Sequence, residues 1–217
     1  VNTFRPFYIE DSALPLAKPR FTLNSSLKML PNPLKSLDDY RMLLNCPDKM
    51  MPHIGSHDYF YHRKYKSGIF DWSPTVRMMK ISMEKIQNTY SKDSVFCDGV
   101  YNKSSEAFAV TAHVFDAFYE SVLQNNAEPV IVVFPHKYNI KSYKKKGIKE
   151  YAPLLAHFDT HGYAYVDLMD AFGHCDDTHV LEDLFVGHHY SEQANRMVAE
   201  HILEYMERNY FEQKPGT

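Results

Sequence analysis

The sequence predicts an α/β protein in which helices cover a parallel β-sheet. Residues 129–134 form a short, wholly apolar and largely β-branched run, which is typical of a central strand buried on both faces. A second strand is predicted at 163–167, directly after a helix that Gly162 is suited to end. A polar loop and a final amphipathic helix follow. This order of elements favours a layered α/β fold with right-handed crossovers.

The composition is that of an ordinary globular chain. With 217 residues, 44% hydrophobic and 24% charged, one domain spanning 1–217 is expected. A net charge of -3 argues against nucleic acid as a partner. No apolar run approaches the roughly 20 residues that span a bilayer, and the first residues lack the apolar core of a secretory signal. A cytoplasmic location is therefore favoured over export.

The cysteines predict no disulfide framework. Cys46, Cys97 and Cys175 are odd in number and widely spaced, and no two of them form a Cys-x-x-Cys pair. We interpret them as free thiols in a reducing compartment.

Residues 1–72 are predicted to be loop-rich. Prolines recur through this segment, and each removes a backbone donor and disfavours helix at the residue before it. Its aromatic content is too high for a disordered linker, so we expect an ordered wrap or cap over the α/β core at 73–217. A helix is predicted here only at 36–44, with Ser36 as its cap.

Helices in the core are predicted from caps and apolar spacing. Ser73 and Pro74 form a standard helix start. The predicted helices are one that begins at Pro74, one at 101–126, and one from Gly147 or Pro153 to 161. The lysine-rich stretch 141–149 is predicted to be a loop, and so is the polar stretch from 168 through 180.

The final helix follows a segment that carries two adjacent histidines. Ser191 stands where an N-cap belongs, and Glu192 places negative charge in the first turn. Residues 184–191 are interpreted as a loop that presents His188 and His189 just before this helix. The apolar face of the helix is predicted to consist of Ala194, Met197, Val198, Ile202, Tyr205 and Met206.

The step from His189 to Ser191, followed by Asn195 and Val198, resembles the C-terminal block of the SGNH (GDSL-type) hydrolase superfamily. The resemblance implies a three-layer α/β/α, flavodoxin-like fold with His189 as general base. It also implies hydrolysis of acyl or acetyl esters of carbohydrates or lipids, or acyl transfer, through a serine acyl-enzyme. No cofactor is expected.

The acid partner of His189 is less clearly marked. The family pattern has Asp three residues before the histidine, and Val186 occupies that position here. Asp183 is the candidate carboxylate that would orient the imidazole. In the other interpretation, a backbone carbonyl orients the ring of a Ser-His dyad.

The predicted site lies at the carboxyl edge of the sheet, where open parallel sheets bind their ligands. Three stretches meet that edge, namely 135–137, 167–177 and 188–189. His136 and His188 are therefore predicted to contact the substrate, a small molecule or a glycan or lipid ester.

The nucleophile has no clear candidate among these residues. The sequence contains neither Gly-Asp-Ser nor Gly-x-Asn-Asp, and the nearest string, around Ser56, follows no apolar strand. We therefore expect the serine and oxyanion blocks to lie upstream of Val1.

Two other functions stay open. The donors between His174 and His189 suggest a metal-dependent hydrolase, but their spacing fits no closed zinc motif, so no metal is predicted. The aromatic N-terminal third suggests a carbohydrate-binding module without catalysis.

Overall fold

The chain forms two compact units. A computed structural model describes residues 20–32, 34–55, 68, 70, 72–90, 94–173 and 178–211. One unit comprises residues 1–97 and 102–117, and the other comprises residues 98–101 and 118–217. The described residues are mixed α/β and rich in helix, and their strands are short. No helix among them is both long enough and apolar enough to cross a bilayer.

The first unit contains a β-hairpin followed by helices. Its elements are β1 (Arg20–Leu23), β2 (Leu27–Leu30), α1 (Leu37–Asn45), α2 (Pro47–Gly55), α3 (Pro74–Tyr90), β3 (Phe96–Cys97) and α4 (Glu106–Gln124) up to residue 117. Strands β1 and β2 pair antiparallel, from Arg20 opposite Leu30 to Leu23 opposite Leu27. The hairpin and α2 are regular structure in a segment that was predicted to be mostly loop.

The start of α1 confirms the helix predicted at 36–44. The Ser36 hydroxyl accepts a hydrogen bond from the Asp39 amide at 3.2 Å, and the Asp39 carboxylate accepts one from the Ser36 amide at 2.9 Å. This reciprocal arrangement is a capping box, which satisfies two backbone donors at once. The sequence pattern around Ser36 was therefore sufficient to predict where this helix begins.

The long helix of the chain begins later than predicted. Helix α4 starts at Glu106, so the predicted start at residue 101 is wrong. Ser105 explains the difference, because its hydroxyl accepts a hydrogen bond from the Phe108 amide at 3.1 Å and so caps the helix at that point.

The second unit holds the parallel strands and the C-terminal helix. Its elements are β4 (Val100–Tyr101), the end of α4, β5 (Ile131–Val133), α5 (Lys137–Lys146), α6 (Ala152–His161), β6 (Tyr165–Asp167), α7 (Met169–Phe172), α8 (Thr178–Asp183), β7 (Phe185–Val186), β8 (His189–Tyr190), α9 (Glu192–Met206) and a π-helical turn at Glu207–Phe211. Its core is built from Ile140, Tyr151, Val166, Leu168, Met169, Phe172, Leu181, Leu184, Phe185, Ala194 and Val198.

The parallel pairing predicted between 129–134 and 163–167 is confirmed, over three residues of each strand. Ile131 lies opposite Tyr165, and Val133 lies opposite Asp167. Helix α6 ends at Gly162 with φ +66°, as the sequence predicted, because glycine adopts this left-handed conformation without strain.

Two predicted loops contain helices. The lysine-rich stretch lies largely in α5, because Ile140 is buried, Gly147 ends the helix in a left-handed conformation and the last lysines lie where the helix dipole favours cations. The stretch from 168 to 180 includes α7, whose Met169 and Phe172 are fully buried. In both stretches, a few buried apolar residues outweigh the polar composition.

Candidate functional site

His136 follows β5 at the carboxyl end of the parallel pair. It is the N-cap of α5: its Nδ1 accepts a hydrogen bond from the Tyr138 amide at 3.4 Å, and its own amide donates to Asn139 Oδ1 at 2.9 Å. The backbone of His136 is therefore held by the helix start, while its side chain is exposed. This is the edge at which parallel sheets bind ligands.

The segment 184–191 is a β-hairpin, and its interpretation as a loop is wrong. Strands β7 and β8 pair antiparallel, and Gly187, at φ +62°, supplies the left-handed backbone conformation that the tight turn needs. The Ser191 amide donates to the Leu184 carbonyl at 2.9 Å, which closes the hairpin directly before α9. The Ser191 hydroxyl accepts from the Ala194 amide at 3.3 Å, so the predicted N-cap is confirmed.

Tyr190 anchors this hairpin beside the end of β5. Its ring packs against Phe172 and Phe185 at centroid distances of 5.3 and 5.1 Å, and its hydroxyl donates to the Pro135 carbonyl at 2.5 Å. Burial raises the pKa of Tyr190 to about 12, so the hydroxyl stays protonated and keeps donating at neutral pH. The hairpin is thus held next to the residue that precedes His136.

Two of the predicted site residues lie together as a result. The rings of His136 and His188 stack with centroids 5.7 Å apart and an interplanar angle of 30°. Both side chains are exposed. An exposed imidazole pair at this edge can both donate and accept hydrogen bonds.

His189 and Asp183 lie in different elements. His189 lies in β8 directly opposite Val186, and it is exposed. Asp183 is the last residue of α8 and is also exposed. Within the described parts of the chain, no hydrogen bond or ion pair joins Asp183 to His189.

The carboxylate next to Asp183 has a different role. Glu182 forms ion pairs with Lys137 and, at 2.5 Å, with Lys141. Hydrogen bonds from Lys137 and then Lys141 lower the pKa of Glu182 to about 2. These contacts tie α8 to α5 close to His136.

Asp167 forms a buried polar cluster at the end of β6. Its carboxylate accepts hydrogen bonds from Tyr151 at 2.7 Å, Lys149 at 2.6 Å and the Met169 amide at 3.0 Å. Lys149 also donates to Asp170 at 2.9 Å. This cluster was missed in the sequence, because its members are far apart along the chain and form no motif.

The protonation states of this cluster follow from its contacts. Burial alone lowers the pKa of Lys149, but its hydrogen bonds to Asp167 and Asp170 outweigh that effect and the net pKa is raised. Burial, followed by the hydrogen bond to Asp167, raises the pKa of Tyr151 far above its ordinary value. Lys149 is therefore a cation rather than a nucleophile, and Tyr151 is a donor rather than a base.

A cavity of about 320 Å³ lies beside the cluster. It is lined by residues that include Lys149, Tyr165, Asp167, Asp170, His201 and Tyr205. Two of its lining carboxylates, Asp167 and Asp170, are already paired with Lys149, which favours a structural role for the cluster.

Several predicted site residues lie outside the described part of the chain. These are Ser56 and the donors from His174 to Asp177, while the side chain of His179 is not described either.

Comparison with known proteins gave no match. No family model fits the sequence, and neither a curated protein nor a solved structure is significantly similar to it. The functional assignment therefore depends on the chemistry and placement of the chain's own residues.

Proposed function

We propose that the protein is an SGNH-like serine esterase or acyltransferase that acts on acyl or acetyl esters of a carbohydrate or lipid. His189 is the proposed general base, Asp183 is its proposed carboxylate partner, and His136 and His188 contact the substrate. The base takes the proton of a serine hydroxyl as the hydroxyl attacks the ester carbonyl. The leaving alcohol then takes that proton from the imidazolium, and water hydrolyses the acyl-enzyme.

One observation supports this proposal above the others. The hydrogen bond from Tyr190 to Pro135 holds the histidine hairpin beside the carboxyl end of β5, and His188 stacks on His136 there. Exposed imidazoles are thus concentrated at the edge where layered α/β proteins bind ligands. The start of α5 fixes the backbone of His136, and the hairpin before α9 fixes the backbones of His188 and His189. A fixed backbone helps a catalytic side chain to be positioned against the reacting atom of a substrate.

The proposal includes a three-layer α/β/α fold in which β5 and β6 are two strands of the parallel sheet. The parallel register of the pair and the helices between its strands support this arrangement.

Val186 makes a sharp experiment possible. It lies opposite His189 in the hairpin, and it occupies the position at which the family pattern has Asp. Side chains at directly opposite positions have Cβ atoms about 4.5–5.5 Å apart. Val186 is 70% exposed, so a polar residue is tolerated there. Val186→Asp places a carboxylate within reach of the imidazole and stabilises the imidazolium that forms during the reaction.

We expect Val186→Asp to raise the rate of p-nitrophenyl acetate hydrolysis by about tenfold or more, and general acid–base assistance as a whole supplies about 10²–10⁴-fold. Val186→Asn should not raise this rate, because the Asn side chain has the shape of Asp but lacks its charge. His189→Ala should remove hydrolysis, both alone and in combination with Val186→Asp. His113→Ala, at an exposed histidine of α4, measures the background that any surface imidazole contributes.

The involvement of serine is checked separately with a fluorophosphonate probe, which labels activated serine hydroxyls. Labelling should depend on His189 and not on His113. Hydrolysis that is equal in the parent protein, in His189→Ala and in Val186→Asp would contradict the proposal.

A further inference from the structure

Helix α6 carries two histidines one turn apart, His157 and His161. Their ring centroids are 4.1 Å apart, and a ring nitrogen of one lies within 4.8 Å of a ring nitrogen of the other. A zinc–imidazole bond is about 2.0–2.1 Å, so two nitrogens on one ion lie no more than about 4 Å apart. Small side-chain rotations therefore bring both rings onto a shared ion.

The ring of His161 is already oriented for this role. Its Nδ1 lies 2.8 Å from the His157 carbonyl oxygen, which can only accept, so the proton is assigned to Nδ1. The lone pair is then on Nε2, which is the nitrogen that points away from the helix backbone. Histidines that bind metals are commonly held by such a hydrogen bond from their other nitrogen.

Aromatic rings support the pair from one side. The ring of Tyr163 is 5.4 Å from that of His161 and 6.2 Å from that of His157. Tyr163 in turn stacks on Tyr119 at 4.0 Å. His157 is half-buried and His161 is exposed, so the pair is both held in place and open to an ion from solvent.

We propose that His157 and His161 form a chelating site for a late first-row divalent metal ion, with Zn²⁺ as the ion it takes up. Imidazole nitrogens suit Zn²⁺, Ni²⁺ and Cu²⁺, and two histidines one turn apart on a helix are a recurrent zinc-binding spacing. Water can fill the other coordination positions, so the site is an exchangeable one rather than a closed structural one. It is independent of the proposed hydrolase residues, since neither histidine belongs to the hairpin or to the end of β5.

The spacing of His157 and His161 indicated this site in the sequence, but the large number of histidines in the chain made that spacing easy to overlook. The pair stands inside a helix that the sequence predicts, at the spacing that places both rings on one face. With 12 histidines in the chain, the spacing alone was not distinctive. The ring geometry and the hydrogen bond of His161 single out this pair.

The test is a Zn²⁺ titration of protein prepared without a polyhistidine tag, followed by calorimetry and by competition with a chromophoric chelator. His161→Ala is the main variant, because His161 is exposed and its loss leaves the core intact. We expect its affinity for Zn²⁺ to fall by about tenfold or more, since one of two protein ligands is removed. His157→Ala should have the same effect, and the double variant should bind Zn²⁺ no more tightly than either single variant.

His113→Ala is the matched control. His113 is exposed on α4 and makes the same type of contact, from Nδ1 to the Ala109 carbonyl at 2.8 Å, but no second histidine stands three or four residues away on either side. Its affinity for Zn²⁺ should equal that of the parent protein. Circular dichroism and thermal unfolding without metal check that each variant is folded.

A second readout distinguishes chelation from a general effect. Zn²⁺ should shift the ¹⁵N resonances of His157 and His161 and raise the melting temperature of the parent protein but not of His161→Ala. The proposal fails if the parent protein binds no Zn²⁺ at millimolar concentration. It fails equally if His161→Ala and His157→Ala bind Zn²⁺ as tightly as the parent does.

Discussion

Helices α3 and α9 carry the same kind of sequence signal but differ in what covers them. Both start directly after a serine, and both place apolar residues at helical spacing. In α9, Ala194 and Val198 are 0% and 7% exposed. In α3, Met79 and Ile86 are both 60% exposed. The spacing of apolar residues correctly predicted a helix in both places, but the apolar side chains are buried only in α9.

The difference shows that periodicity specifies a helix and a face, whereas the neighbouring elements decide whether that face is buried. Helix α9 packs against α7 and β8, so its apolar stripe joins the core of the second unit. The stripe of α3 is exposed to solvent within the described residues. Since buried apolar area is the main source of stability, the core that α9 joins and the exposed stripe of α3 should respond very differently to the same substitution.

The largest expected effect tests this difference with one substitution at two methionines. Met169 in α7 is 0% exposed and belongs to the core that α9 completes, whereas Met83 in α3 is 56% exposed. Met169→Ala should lower the free energy of unfolding by about 2–5 kcal/mol, because it removes buried methylene groups and leaves a cavity. Met83→Ala should change it by less than about 0.5 kcal/mol. Urea denaturation monitored by circular dichroism measures both values, and a large loss at Met83 would mean that α3 is covered in solution.

A smaller effect is expected from the polar groups that border the same core. The Asp167 side chain is 5% exposed and that of Asp170 is 63% exposed, although both bind Lys149. Asp167→Asn should cost about 3 kcal/mol, because it breaks a buried ion pair and weakens the acceptor for Tyr151. Asp170→Asn should cost less than about 1 kcal/mol, since water screens that pair. Equal losses in urea unfolding would show that burial does not separate the two carboxylates.

The sign of the pH dependence follows from Lys149. Its pKa is raised in the folded protein, because its hydrogen bonds to Asp167 and Asp170 outweigh its burial. The ion pairs therefore contribute fully below the pKa of an unfolded lysine, about 10.4, and their contribution is lost as pH rises through the folded value. The difference between wild type and Asp167→Asn should accordingly shrink in strongly alkaline solution.

The smallest effect concerns an exposed ion-pair cluster. Lys137 and Lys141 lower the pKa of Glu182 to about 2. A lowered carboxyl pKa stabilises the fold above the unfolded value, about 4.3, and the stabilisation disappears as pH falls towards 2. Urea unfolding of wild type and Glu182→Gln between pH 7 and pH 2 should therefore differ at neutral pH and converge in acid. High salt should reduce the difference, because this cluster is exposed.

Glu200→Gln is the control for that series. Glu200 is exposed on α9 and forms no ion pair with any described residue. Its stability profile should follow that of wild type at every pH. A Glu182→Gln profile that also follows wild type would show that the lysine contacts do not persist in solution.

The candidate site was predictable only in part. The resemblance selected His189, the sheet-edge argument selected His136 and His188, and the structure places the rings of His136 and His188 together. What joins them is the hydrogen bond from Tyr190 to Pro135, between residues 55 apart in the chain. A contact at that separation leaves no local pattern, so the sequence could not indicate it. The cluster of Lys149 and Asp167 was missed for the same reason.

The sequence by itself determined the elements whose signals are short-range. The caps at Ser36 and Ser191 and the helix end at Gly162 could be predicted, because backbone conformation and capping depend on residues within one turn. The two strands could be predicted from their short runs of apolar and β-branched residues. Only the tertiary structure decided that 141–149 is mainly helical, that 184–191 is a hairpin and which apolar face is buried. Those outcomes depend on the packing of Ile140, Tyr190 and Val198 against residues that are distant in the chain. Local propensity does not encode such contacts.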